Sequence, residues 1–106
     1  MACEEEKFQV EILEILLQSQ DNQIGETYDK YHAALEMVEE QCVAIHFIPE
    51  FHVREECRDA LLNANQLYDE IWAQESIWRK INQILEQARN RYADCLHEQK
   101  AGIPDD

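Results

Sequence analysis

Glycine and proline are nearly missing from this chain of 106 residues: two of each, at positions 25, 102, 49 and 104. These residues punctuate turns, so their scarcity argues against many short elements and for few, long helices. Serine is equally scarce, with Ser19 and Ser76 alone, and neither stands on a recognisable strand-to-helix elbow that would make it a nucleophile. Two isolated glycines cannot form a loop that cradles phosphate. Basic residues number 9 against 23 acids, a net charge of −14, which would repel a nucleic-acid backbone or an anionic membrane surface. No apolar run approaches the roughly 18 residues of a membrane span, and residues 1–9 carry no charged-then-apolar leader. Ala2 stands where myristoylation needs glycine, and the final residues do not form a prenylation box. The expectation is an intracellular protein of the cytoplasm or nucleus that neither binds nucleic acid directly nor inserts into a membrane. There its four cysteines would stay reduced rather than build a secreted framework.

What is present is helical patterning over a length that suits one domain and not two. Phe8, Val10, Ile12, Leu13, Ile15, Leu16 and Leu17 recur at helical spacing and cover roughly 220° of the circumference, so this helix needs neighbours on two sides. Gly25 is a natural stop and Thr27 a natural cap for the next helix. There Tyr28, Tyr31, Leu35, Val38, Cys42 and Ile45 step by three and four, the spacing of a coiled-coil seam. Pro49 ends that helix and suits the first turn of the following one. From Glu50 to Ala101 neither glycine nor proline occurs, and the seam continues as Val53, Cys57, Ala60, Ala64, Leu67, Ile71, Gln74, Trp78, Ile81, Leu85, Ala88, Tyr92 and Cys95.

The spacing therefore predicts an all-α fold of one domain, an antiparallel helical bundle or coiled coil. Its helices would span about 3–23, 28–47 and 50–100. A break at 74–76, with Ser76 as a cap, would convert this to a four-helix bundle. An unbroken third helix would extend about 75 Å, and each of the two shorter helices would cover less than half of it. Its remainder would then seek a second chain. The flanking apolar residues change side along it: Leu61 and Tyr68 take heptad position e, Ile77 and Ile84 position g.

Candidates for chemistry are weaker than the candidates for packing. A four-helix bundle would gather Cys3, Cys42, Cys57 and Cys95 near His46, His52 and His97, a possible metal or redox cluster. The spacing is unlike that of a zinc knuckle, and small thiols at seam positions are ordinary core residues. Cys42 and Cys57 are symmetric about the turn, so in a helical hairpin they face one another. Asp29 with His32, and Asp94 with His97, have the carboxylate–histidine spacing of di-metal bundles but would lie at opposite ends. Cys42 and His46, one turn apart, could activate a thiolate only if Cys42 were not buried. The segment His46–Phe47–Ile48–Pro49–Glu50–Phe51–His52 is a hairpin tip with more apolar surface than a turn requires.

Trp72 lies at heptad b, where a solvated coiled coil places a polar residue, and tryptophan is enriched in interface hot spots. The expectation is a non-enzymatic scaffold or adaptor without cofactor or metal. Trp72, Ile77, Trp78, Ile84, Phe47 and Phe51 would bind protein partners, either copies of itself or other helical chains. Residues 1–26 carry seven acids and one base, and residues 76–106 five of each, an asymmetry that favours antiparallel association. The alternative is an acidic inhibitor or chaperone that masks a basic surface, in one form as a nucleic-acid mimic.

Overall fold

A computed structural model describes residues 3–43 and 51–102, with side chains from 3 to 42 and from 55 to 99. It contains two helices, α1 (Glu4–Val43) and α2 (Phe51–Gly102). The chain divides into two compact units. The first joins Met1–Asp21 with Ser76–Asp106, and the second is Asn22–Glu75. Within each unit a stretch of α1 packs antiparallel against a stretch of α2.

The expected count of three or four helices is thus corrected to two. Ser76 is helical, as are Gly25 and Thr27, so neither proposed break exists. Gly25 adopts no positive φ and nothing surrounds the place where a Cβ would stand. A glycine inside a helix costs about 1 kcal/mol relative to alanine, a penalty that continuous packing on either side outweighs. The Thr27 hydroxyl caps no new helix. It donates back to the carbonyl of Gln23, one turn earlier, at 3.0 Å, which satisfies it inside an unbroken helix.

In the first unit Cys3, just before α1, and Val10 and Gln20 on α1 are buried, as are Leu85 and Ala88 on α2. Leu13, Leu17 and Tyr92 pack against the Val10–Leu85–Ala88 cluster. Leu85 is the one large side chain that is fully buried among the described residues. In the second unit Thr27, Ala34, Cys57, Ala60, Ala64 and Ile71 are buried. These are mostly small residues, which allow close approach of the two backbones but release little apolar surface from water. The positions shielded on α1 step by three and four from Cys3 through Val38, and those on α2 do so from Cys57 to Cys95. This is a two-helix seam. On α2 it is the seam read from the sequence. On α1 it passes through Thr27 and Ala34, whereas Tyr28 and Leu35, expected inside, are exposed.

A disulfide staples each unit. Cys3 is bonded to Cys95 in the first, with Cα atoms 5.9 Å apart, and Cys42 to Cys57 in the second, at 4.8 Å. The single metal or redox cluster raised by the four-helix alternative is replaced by two separate covalent pairs, and none of the four cysteines is free. The mutual facing of Cys42 and Cys57 follows from their symmetric placement about the connection. The pairing of Cys3 with Cys95 follows from α1 continuing past Gly25.

Candidate protein-interaction surfaces

Seam positions are labelled a and d, with a at Val10 and Leu17 on α1 and at Ile71, Trp78, Leu85 and Tyr92 on α2. In an antiparallel pair the g positions of both helices then lie along one margin of the seam and the e positions along the other. In the first unit the g margin is apolar. Leu16 of α1 and Ile77 and Ile84 of α2 are each nearly half exposed, and Ile12 at c extends the patch outward. Gln9, Ile12, Leu13, Ile84 and Arg91 line an open groove of about 310 Å³ there. Phe8 and Ile15, at f, are 59% and 68% exposed, so the broad apolar face of α1 meets α2 on one side and solvent on the other. The e margin of this unit is polar, with Arg89 and Glu14 3.9 Å apart and both about half exposed. A solvated pair of that kind contributes roughly 0–1 kcal/mol.

In the second unit the apolar margin is e. Tyr28, Leu35, Leu61 and Tyr68 are exposed there, with Trp72 beside them at b. The ring of Tyr68 stands 6.0 Å from that of Tyr31 and 6.4 Å from that of Trp72, the latter edge-on. Trp72 remains 52% exposed, so Tyr68 supports one edge of the indole while the rest meets water. The hydroxyl of Tyr28 donates to the Glu75 carboxylate at 2.7 Å and links the two helices. That hydrogen bond, followed by desolvation and the negative charge of Glu75, raises the phenol above its ordinary ionisation range. Proton loss would leave two anions in contact.

Of the residues expected to bind partners, Trp72, Ile77 and Ile84 present exposed apolar surface. Trp78 occupies the seam and is half-buried, with its indole N–H enclosed and lacking a hydrogen-bond partner among the described residues. Phe47, His46 and the rest of the 44–50 segment lie outside the described residues. Phe51 opens α2, but its side chain and that of His52 are likewise outside them. The seam of α2 does not run out of cover as the three-helix reading required. α1 is 40 residues long and supplies a facing seam in each unit. What stays uncovered is the pair of margins. Sequence reasoning therefore passed over Phe8, Ile12, Ile15 and Leu16 as surface residues, although the 220° apolar arc held the signal for them.

The two Asp-x-x-His pairs fall in different units, and His32, His97, Asp29 and Asp94 are exposed. No group of three or more histidine, cysteine, aspartate or glutamate residues placed to hold a metal ion occurs among the described residues. None of the described helices is long and apolar enough to cross a membrane. Compared with known proteins, the chain matches no family model, no curated protein and no solved structure.

Proposed function

We propose that the protein is a non-enzymatic helical adaptor that joins protein partners, either its own copies or other helical chains, through apolar margins beside its two-helix seam. The observation that carries this reading is the exposure of Leu16, Ile77 and Ile84 along one margin of the first unit. Solvated coiled coils place charged residues at such positions. Branched apolar side chains there cost solubility unless a partner covers them. Tyr68 and Trp72 add a second apolar surface in the other unit, and tryptophan anchors are common hot spots. The cytoplasm or nucleus expected from the sequence is reducing, whereas all four cysteines are paired, and those pairs favour an oxidising setting for the adaptor.

Capture from native extract with the wild-type chain, Ile84→Asp and Trp72→Ala in parallel tests this. The wild type is expected to retain a discrete partner through about 0.5 M salt, and Ile84→Asp to lose it. Identical retention by all three chains would contradict the reading. The net charge of −14 supports a second reading, an acidic cover for a basic protein surface. That reading requires retention to collapse at the same salt concentration while Ile84→Asp binds as the wild type does.

A further inference from the structure

The first unit carries a face whose chemistry fits a second copy of itself. On α1, positions c, f and g between Phe8 and Asp21 are Phe8, Gln9, Ile12, Ile15, Leu16 and Ser19, a solvent face without one charge in a chain of net −14. The acids of this stretch, Glu11, Glu14 and Asp21, occupy b and e instead. On α2 the corresponding outer row at c is Lys80, Gln87 and Asp94, all exposed. The Cys3–Cys95 bond sets the level of one helix against the other. Counting nine residues forward from Cys3 and eight back from Cys95 brings Ile12 and Gln87, both at the outer position c, to about the same level along the two helices.

A two-fold axis through that level maps each helix antiparallel onto its own copy. Lys80 and Asp94 stand seven residues on either side of Gln87, so each cation meets the partner copy's carboxylate. Phe8 and Ile15, at f, lie along one flank of Ile12, and Gln9 and Leu16, at g, along the other, so each Phe8 meets the partner copy's Ile15 and each Leu16 the partner copy's Gln9. An isologous interface demands this self-complementarity, in which residue i touches j and j touches i. Lys80 and Asp94 make no hydrogen bond or ion pair with other described residues, which leaves both available.

We infer that the chain forms an antiparallel two-fold homodimer through the face of α1 and α2 centred on Ile12 and Gln87, with Lys80 paired to Asp94 across the axis. This rests on the adaptor reading and names the partner for one of its margins. The α1 stripe from Phe8 to Ser19 runs about 17 Å, which places the interface in the small, reversible class rather than the obligate one. The expected dissociation constant is therefore on the order of micromolar.

Sedimentation equilibrium of the disulfide-bonded full chain over about 1–100 µM tests it, with helicity by circular dichroism as the folding control. The wild type is expected to show a monomer–dimer equilibrium, and Ile12→Asp to weaken it by about tenfold or more. If Ile12→Asp loses helicity, Phe8→Asp, at a more exposed site, takes its place. Lys80→Glu and Asp94→Lys should each weaken the dimer by about threefold, and the double variant should recover wild-type affinity. A monomer at every concentration overturns the proposal, as does a dimer indifferent to Ile12→Asp or a double charge variant no better than the single ones. A monomeric chain whose captured partner is still lost in Ile84→Asp overturns the dimer and leaves the adaptor reading in place. A dimer dissociated by Ile12→Asp, in a chain whose capture ignores Ile84→Asp, supports the dimer and contradicts the wider reading.

Discussion

Opening the disulfides should cost this protein more than losing any single core side chain. The buried apolar residues among those described are nine, six of them alanine or cysteine, and Leu85 alone is both large and fully enclosed. So thin a core leaves little stability in reserve, and small folds of this kind depend on covalent closure. The inner bond, Cys42–Cys57, spans 15 residues of sequence and the outer, Cys3–Cys95, spans 92. Loop-closure entropy assigns about 3 kcal/mol to the first and about 4.5 kcal/mol to the second. With the inner bond in place the outer loop is effectively shorter, which lowers its share by only about 0.15 kcal/mol. At roughly 4–8 °C per kcal/mol for a domain of this size, loss of the inner bond should lower Tm by about 12–24 °C. Loss of both should leave the chain largely unfolded at 37 °C. The assay is thermal unfolding followed by circular dichroism at the helical band. It compares chain oxidised in vitro, the same sample reduced and alkylated, Cys42→Ser/Cys57→Ser and Cys3→Ser/Cys95→Ser. A reduced sample melting within about 2 °C of the oxidised one would refute the reasoning.

Gly25→Ala should stabilise the chain by about 1 kcal/mol, read as a higher denaturant midpoint at unchanged slope, because Gly25 is helical and its Cβ site is empty. Leu85→Ala should cost about 2–5 kcal/mol, whereas Arg89→Ala should shift stability by less than about 1 kcal/mol, since its partner Glu14 is solvated. Tyrosine absorbance titration should show the Tyr28 phenol ionising above its ordinary range, with the elevation reduced in Glu75→Gln, because Tyr28 donates to the charged Glu75 carboxylate. The sign follows from the neutral phenol being the donor: the clamp is fully present below the unfolded-state value and is lost as pH rises through the folded one.

The seam of α2 was legible from spacing alone because every third or fourth residue from Cys57 to Cys95 is small or apolar, Gln74 excepted. The migration of flanking apolar residues from e (Leu61, Tyr68) to g (Ile77, Ile84) was equally legible, and it marks the margins that the structure leaves exposed. α1 departs from the pattern of its sequence for two physical reasons. Gly25 and Thr27 resemble a stop and a cap, yet both tolerate a helix interior, Gly25 at modest cost and Thr27 through its bond to Gln23. Large apolar residues also attract a seam assignment more strongly than small ones. Spacing and size therefore point to Tyr28 and Leu35, whereas the close approach of the helices selects Thr27 and Ala34. Once α1 was cut at Gly25, the pairing of Cys3 with Cys95 could not be seen, nor could the cover that α1 gives to the later half of α2.

Hydroxyl-radical footprinting of the free chain and of the chain in complex with its captured partner addresses the adaptor assignment most directly. Strong oxidation of Leu16, Ile84 and Trp72 is expected in the free chain, with marked protection of at least the Leu16–Ile84 margin in the complex and a silent Leu85 in both. Unchanged labelling of all three exposed residues, with protection confined to acidic surface elsewhere, would contradict the assignment.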